Sequence, residues 1–251
     1  MRRGQERLGY AALPLLLLLW QGVAWLAGSR LLPGPVAVAG HVAELLATGH
    51  LLGDFALTLG RAAAGFVLAM GLGTGIGLLL GRVRGLDMLF GPWITVGMNL
   101  PAIVLAILCY IWLGLTDTAL VLAVVLNKAP LVAATIRQGV RSFDPAYDEL
   151  ARACRMTPRQ WLRLVYLPQL LPALLTAART GLSLVWKIVL VFEVLGSDGG
   201  VGFRIGVFFQ LFDMKGILAY TSVFVALVLA LEYLALRPVE ERVLAWQADR
   251  P

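Results

Sequence analysis

The stretch Arg141-SFDPAYDELARACRMTPRQWLRLVYLPQLLP-Ala173 is the longest polar interval in an otherwise strongly apolar chain. Two of its acidic residues, Asp148 and Glu149, precede a series of arginines, which is the order that the dipole of a helix favours. Thr157 and Pro158 then form the N-cap and first-turn pair that begins a second helix. The interval therefore predicts two short helices joined by a turn. From this pattern alone, the two helices could simply form a solvated helical hairpin that is stabilised by its own ion pairs.

Composition places most of the chain in lipid. Of its 251 residues, 59% are hydrophobic and 14% are charged, whereas soluble domains carry roughly 45–50% apolar and about 25% charged residues. Disorder, collagen and a disulfide scaffold are excluded by the same figures. The net charge of +6 is assigned to cytoplasmic loops rather than to nucleic-acid binding, because no basic stripe is interleaved with aromatic residues.

Six apolar segments are long enough to cross a hydrocarbon core of about 30 Å. They are residues 9–28, 55–81, 91–115, 117–137, 169–195 and 216–236. Pro92 and Pro101 interrupt the third. The first is interpreted as an uncleaved span rather than a signal peptide, because Trp20 and Trp25 stand where a cleavage site needs small residues. Residues 33–52 are amphipathic and are predicted to lie along the membrane surface.

The distribution of basic residues predicts the orientation. With the N-terminus in the cytoplasm, the inner segments hold Arg2, Arg3, Arg7, Arg82, Arg84, Arg137, Arg141, Arg152, Arg155, Arg159, Arg163, Arg237, Arg242 and Arg250. The outer segments hold only Arg30, Arg204 and Lys215. Since basic residues stay on the cytoplasmic side, both termini of this single all-α transmembrane domain, residues 1–251, are predicted to be cytoplasmic.

The polar interval also resembles a known motif. The run Glu149-x-Ala151-x3-Arg155-x9-Val165-x-Leu167-Pro168 is similar to the loop motif E-A-A-x3-G-x9-I-x-L-P of ABC importer permeases. Leu150 stands in place of the first alanine of the pair, Arg155 stands at the glycine position, and Val165 is a conservative replacement for isoleucine.

The resemblance extends over about residues 30 to 246. It is carried further by Leu32-Pro33-Gly34-Pro35, Arg61 with Gly65-Phe66, Trp186…Glu193-Val-Leu-Gly196 and Gly200-Val-Gly-Phe. On these residues the chain is identified as a member of the permease group of nitrate, aliphatic sulfonate and taurine importers. The resemblance implies a type I (MetI-like) permease fold in the bacterial inner membrane. It also implies a homodimer, two ATP-binding subunits inside and a solute-binding protein outside, with ATP and Mg on the partner and no cofactor in this chain.

The resemblance further implies that residues 141–168 form a coupling loop whose first helix docks in a groove of the ATP-binding subunit. There, Glu149 would be the polar contact, Ala151 would permit close approach, and Leu167-Pro168 would set the angle into the fifth span. The coupling residues implied are Glu149, Ala151, Arg152, Arg155, Val165, Leu167 and Pro168. Arg152, Arg159 and Arg163 could form ion pairs with the partner or with anionic lipid. Alternatively, they would only hold the loop on the cytoplasmic side of the membrane.

Charges within the membrane need an explanation, because each is costly there. Lys128 is either an interhelical hydrogen-bond partner or an anion contact on a transport pathway. Glu193 is six residues from Lys187 and cannot pair with it within one helix, so it is expected to pair with Lys128 or Arg179. Arg61 is expected to extend to the outer interface.

Backbone at the start of the third span is a second source of pathway residues. Proline frees a carbonyl in Asn99-Leu-Pro101, and broken helix at membrane depth is tolerated where it lines a cavity. The pathway candidates are Asn99, Pro101, Lys128 and Glu193.

Five glycines of the second span form pairs that are four residues apart: Gly71 and Gly75, Gly73 and Gly77, and Gly77 and Gly81. The spacing predicts one or two faces for close helix packing. A phosphate loop is not indicated, because nothing in the chain resembles G-x-x-x-x-G-K-[ST].

A transport subunit is therefore predicted, not an enzyme, with a small anion such as nitrate, a sulfonate or taurine as the solute. Related permeases suggest a pyrimidine, riboflavin or bicarbonate-type solute as the alternative. An ion-coupled secondary transporter would need paired acidic sites and internal repeats, which the sequence lacks. A membrane enzyme would need clustered His, Asp or Cys at membrane depth, whereas His41 and His50 lie outside the membrane spans. These two histidines are too few for a metal site. Cys109 and Cys154 likewise support neither a disulfide framework nor a metal site.

Overall fold

The computed structural model describes residues 2–236 and residue 238, with the backbone alone for residues 2–13, 235 and 236. These residues form helices joined by short loops, which confirms the predicted all-α class. The helices are α1 (Arg2–Ala27), α2 (Pro35–Ala47), α3 (His50–Arg82), α4 (Arg84–Asn99), α5 (Ala102–Leu113), α6 (Asp117–Arg141), α7 (Pro145–Ala153), α8 (Pro158–Trp161), α9 (Leu167–Gly196), α10 (Val201–Gln210) and α11 (Met214–Leu231). Two π-helical turns, Leu162–Tyr166 and Glu232–Leu236, follow α8 and α11.

Four helical segments in the described part of the chain are long and apolar enough to cross a membrane. They are His50–Arg82, Asp117–Arg141, Pro158–Gly196 and Met214–Leu234. They correspond to the predicted second, fourth, fifth and sixth spans. The first predicted span falls on α1, of which Pro14–Ala27 is a shorter apolar helix.

The third predicted span is not one straight helix. It is divided between α4 and α5, which meet at 96° across a break at Leu100 and Pro101. The predicted interruption is found at Pro101, which cannot continue the hydrogen-bond ladder of α4, whereas Pro92 lies within α4. The bent pair counts as a fifth candidate crossing.

α3 and α6 pack in parallel along a small-residue face of α3. A methyl group at Gly65, Gly73, Gly77 or Gly81 would come within 2.6–2.7 Å of an α6 side chain. The facing residues are Val124, Val132, Ile136 and Val140, each at the same sequence separation from its glycine. The prediction of a close-packed glycine face is therefore confirmed for this face. The Gly71 and Gly75 face is open, with nothing within 4 Å of either position.

The largest apolar cluster lies where α3, α5, α6 and α9 meet. Its fully buried members include Ala62, Ala106, Leu120, Val124, Val189 and Phe192. Cys109 belongs to this cluster and Cys154 is exposed, and both are free thiols. The C-terminal arginines used for the predicted orientation, Arg237, Arg242 and Arg250, lie outside the described residues.

Candidate functional site: the loop between α6 and α9 and the buried charge cluster

The first loop helix, α7, begins with an N-cap residue followed by a proline. The Asp144 carboxylate accepts a hydrogen bond from the Ala146 backbone N–H at 2.9 Å, and Pro145 occupies the first turn. Both features are favourable at a helix N-terminus. The Asp144 N–H in turn donates to Gln169 Oε1 at 3.0 Å, so the start of α7 is fixed to the start of α9.

α7 ends in a Schellman turn in which Arg155 takes the left-handed position. The Arg155 N–H donates to Arg152 O and the Met156 N–H donates to Ala151 O, each at 3.0 Å. Arg155 has a φ of 49°, a conformation in which glycine is usual because a Cβ is unfavourable there. The turn that the glycine of the related motif would make is therefore kept, with arginine in its place.

Arg155→Gly is expected to stabilise the turn by about 1 kcal/mol, because it removes the Cβ strain of the left-handed conformation. Trypsin cleavage after Arg152 and Arg159, which requires local opening, should slow roughly fivefold in the assembled complex. Arg155→Ala is the matched control, since it removes the same charge but keeps a Cβ. Equal protection from trypsin in Arg155→Gly and Arg155→Ala would contradict backbone strain at Arg155.

The second loop helix runs without interruption into the membrane. Thr157 Oγ1 accepts from the Gln160 N–H, and Gln160 Oε1 accepts from the Thr157 N–H, which forms a capping box. The helix that starts at Pro158 continues to Gly196. Where Pro168 removes one donor, the preceding turn is π-helical, and the Leu167 N–H bonds to Leu162 O instead.

The predicted coupling residues divide into two groups by exposure. Ala151 and Val165 are buried, at 4% and 6% exposure. Exposed are Glu149, Arg152, Arg155 and Leu167, while Pro168 is half-buried. The small side chain of Ala151 thus faces its own loop, where it accommodates the turn at Met156. The outer surface of α7 is formed by exposed side chains that include Tyr147, Glu149 and Leu150.

A groove of about 750 Å³ runs between α7 and α8. It is lined by Asp148, Ala151, Arg152, Arg155, Met156, Pro158 and Trp161. The Trp161 indole N–H donates to Asp148 Oδ1 at 2.7 Å across the base of the hairpin. The two loop helices are thus held together by a side-chain bond in addition to the turn.

Arg82, at the end of α3, connects the loop to the bundle. Its guanidinium lies 4.3 Å from the ring centroid of Tyr166 and 5.7 Å from that of Trp161. Phe143 packs edge-on against Tyr166, with centroids 5.1 Å apart. The sequence argument did not single out these residues, although three aromatic side chains inside a polar loop are a signal that could have revealed them.

A second polar cluster is buried at the opposite end of α3. Arg61 is 4% exposed and donates from Nη1 to Glu193 Oε1 at 2.9 Å, from Nε to Asp117 Oδ1 at 2.8 Å and from Nη1 to Gly199 O at 2.6 Å. Asp198 Oδ1 lies 3.3 Å from Nη2. One guanidinium therefore joins α3, the start of α6 and the end of α9.

Glu193, which is 0% exposed, is the acceptor at the centre of this cluster. It accepts from Thr58 Oγ1 and from the Gly202 N–H, each at 2.9 Å. Since Gly202 is in the first turn of α10, the carboxylate also caps that helix. Gly200 has a φ of +99°, and a methyl group there would collide with Glu193.

One prediction for the buried charges is wrong: Glu193 pairs with Arg61 rather than with Lys128 or Arg179. Arg61 itself reaches Asp117 and Asp198, whose side chains are 59% and 90% exposed, and its extension toward the outer interface stays a prediction. The reason is that α3 and α9 bring two charges together that are 132 residues apart in sequence. A separate pair joins Asp54 to Arg204 at 2.9 Å and to the Tyr220 hydroxyl at 2.8 Å.

The other pathway candidates lie apart from this cluster. Asn99 ends α4, is exposed, and donates from its side-chain amide to Thr95 O at 2.8 Å. Pro101, also exposed, begins α5. Lys128 is 6% exposed in α6 and makes no hydrogen bond or ion pair within the described residues, so no interhelical hydrogen bond accounts for it.

Comparison with known proteins decides the family. The model of the binding-protein-dependent transport system inner membrane component matches residues 73–237, which is more than half of the chain. The chain belongs to this family. A relative in Bacillus subtilis named as an aliphatic sulfonates transport permease protein, SsuC, is 29% identical and covers 97% of this chain and 90% of its own length. The riboflavin transport system permease protein RibX of Chloroflexus aurantiacus is 30% identical over 94% of this chain and 89% of its own length.

The fold agrees with this assignment. A chain of the inward-facing MetNI methionine ABC transporter superposes with a TM-score of 0.66 at 20% identity, over 77% of this chain and 96% of the other. The protein is therefore the inner-membrane permease of an ABC importer, a multi-pass transport subunit and not the ATPase. A permease of this kind works with an ATP-binding subunit and a solute-binding protein.

Proposed function

We propose that this permease imports a small sulfonate-type anion as a homodimer, by alternating access. The name of the SsuC relative, which aligns with nearly the whole chain, supports the sulfonate class. A riboflavin-type solute is the second candidate, supported by the name of RibX. ATP and Mg bind to the partner subunit in this proposal, and both termini lie in the cytoplasm with the loop of residues 141–168.

The observation that carries the proposal is the construction of this loop. α7 offers an exposed face on a fixed hairpin, and the hairpin is tied to α3 through Arg82 and is continuous with α9. A displacement of α7 by an ATP-binding subunit would therefore move two membrane helices together. Glu149, exposed and without a hydrogen bond or ion pair to the described residues, is the contact we assign to the partner.

The other predicted residues take supporting roles in the proposal. Ala151 and Val165 pack the hairpin, while Leu167 and Pro168 carry it into α9. Arg159 and Arg163 line a shallow recess on the exposed side, where a partner or an anionic lipid headgroup could be bound. Asn99 and Pro101 lie at the break that we assign to the pathway. Glu193 belongs to the pathway only in a state in which the Arg61 cluster opens.

Glu149→Ala is expected to lower ATP-driven solute uptake and solute-stimulated ATPase activity roughly tenfold, the loss of about 1.4 kcal/mol of contact with the partner. Membrane expression should not change, because Glu149 supports nothing within the loop. Both activities are measured in proteoliposomes that hold the assembled complex. Glu44→Ala, which removes another exposed carboxylate on α2, is the control. Unchanged uptake in Glu149→Ala would refute the docking role.

A further inference from the structure

Two cavities adjoin on the exposed face of the helical segment Pro158–Gly196, where the loop joins the membrane bundle. A recess of about 270 Å³ is lined by Arg159, Gln160, Arg163 and Leu164. A groove of about 510 Å³ is lined by Arg163, Leu167, Pro168, Leu171 and Leu174. Because Arg163 belongs to both walls, the polar recess continues into the apolar groove.

The recess presents hydrogen-bond donors that the described chain does not use. Arg159 and Arg163 are exposed and make no hydrogen bond or ion pair to a described residue. Residues four apart on a helix are neighbours, and like charges at this spacing repel each other. Gln160 accepts the Thr157 N–H through Oε1, which leaves its amide NH₂ as a further donor. A phosphate group between the two guanidinium groups would remove the repulsion and accept several charge-assisted hydrogen bonds.

The depth of the recess in the membrane follows from α3. The rise of this helix from Arg61 to Arg82 is about 32 Å, close to the thickness of a hydrocarbon core, about 30 Å. Arg82 lies against the rings of Tyr166 and Trp161, and aromatic residues of this kind are enriched at membrane boundaries. Arg163 lies between Trp161 and Tyr166 in the chain. The recess is therefore at the membrane boundary on the side of the loop.

The groove runs from this boundary into the apolar part of α9. Its lining residues repeat every three or four positions, which places them along one face of the helix. The rise from Arg163 to Leu174 is about 16 Å, close to half the thickness of a hydrocarbon core, about 15 Å. Leu164 and Leu167, at the polar end, are 65% and 44% exposed. A protein outside the membrane reaches the recess alone, whereas a lipid reaches both cavities.

We propose that Arg159 and Arg163 bind the phosphate of an anionic phospholipid, one of whose acyl chains lies in the groove that ends at Leu174. An anionic headgroup is favoured over a zwitterionic one, because two cations without a counter-charge face it. The bound lipid would anchor the base of the hairpin to the leaflet on the side of the loop. The inference rests on the proposed function only in placing the loop beside the membrane, and not on the transported solute.

Native mass spectrometry of the detergent-solubilised complex with its ATP-binding subunit, titrated with dioleoylphosphatidylglycerol, tests the recess. Arg159→Gln combined with Arg163→Gln should raise the dissociation constant of the first bound lipid at least about tenfold, because both cations that face the phosphate are lost. Arg84→Gln combined with Arg152→Gln is the matched control, since it removes two other exposed arginines from the same end of the bundle. The control should stay within about twofold of the wild type.

Leu171→Trp tests the groove in the same titration. The larger side chain fills the space of the acyl chain without a change of charge, so the dissociation constant should rise at least about threefold. Leu229→Trp, at an exposed leucine of α11, is the control and should bind as the wild type does. Glycerol phosphate, which has the anionic group but no acyl chain, should not displace the lipid. Its displacement of the lipid would show a site for a free phosphate compound and would overturn the lipid assignment.

Equal dissociation constants in the double arginine variant and the wild type would overturn the proposal. The same conclusion would follow if the wild type bound dioleoylphosphatidylcholine as tightly as dioleoylphosphatidylglycerol. Loss of the ATP-binding subunit from the double variant, with unchanged lipid binding, would assign the recess to that subunit instead. Arg163→Gln alone replaces the double variant if the latter fails to assemble.

The titration uses neither solute nor ATP hydrolysis. A negative result would therefore refute the lipid site and leave the proposed import intact. Absent uptake by a complex that does bind the lipid would refute the proposed import alone.

Discussion

Gly77→Leu is expected to prevent assembly of the transmembrane bundle. A Cβ at this position would lie 2.7 Å from the Ala133 carbonyl oxygen and 2.7 Å from Ile136 Cβ. Because one of these contacts is backbone, α6 can relieve the overlap only by moving away along much of its length. Overpacking in a well-packed core costs typically 1–3 kcal/mol, and a leucine against backbone should exceed about 3 kcal/mol.

Gly75→Leu is the matched control for this substitution. It lies in the same helix and gains the same helix propensity, but nothing is within 4 Å of its Cβ position. The measurement is the fraction of detergent-solubilised permease that elutes as a monodisperse complex, together with its thermal unfolding. Normal assembly of Gly77→Leu would contradict the close approach of α3 to α6.

The second large effect is expected at the Arg61 cluster. Arg61→Met should destabilise the permease by about 3–5 kcal/mol, because it leaves the carboxylate of Glu193 buried without its cation. The loss should appear as a lower unfolding temperature and as protease sensitivity at the loop before α10, since Glu193 also holds the first turn of that helix. Lys187→Met, a change of an exposed cation in α9, should leave both readouts unchanged.

A double variant separates the ion pair from simple loss of packing. Arg61→Met combined with Glu193→Leu removes both charges, and buried pairs replaced by apolar residues often lose little stability. The combination should therefore be more stable than Arg61→Met alone, although the Gly202 N–H remains without its acceptor. A loss of stability in the double variant equal to the sum of the losses in Arg61→Met and Glu193→Leu would show that the pair is not coupled.

Local signals in the sequence predicted the helices of the loop at residues 141–168 closely. The Thr157–Pro158 cap and the order of acidic before basic residues each depend on only a few neighbouring residues, and the structure has a helix at both places. The left-handed turn at Arg155 was indicated only by its place at the glycine position of the related motif, because arginine itself gives no signal for that conformation.

Long-range pairing was beyond the reach of one sequence. Glu193 was recognised as a charge that needs a partner and Arg61 as a charge that needs an explanation, but their pairing depends on the relative rotation of α3 and α9. Likewise, the glycine spacing showed two small faces on α3, while only packing against α6 selects the one that includes Gly73 and Gly77. The third span was recognised as interrupted, yet the 96° bend depends on what α4 and α5 pack against.

The most direct test of the central claim is solute uptake by the purified chain reconstituted with its ATP-binding subunit, with the cognate solute-binding protein outside. The account predicts uptake of a sulfonate that requires ATP hydrolysis and the binding protein together, and that stops when either is withheld. Uptake by the chain alone, driven by an ion gradient and indifferent to ATP, would contradict it.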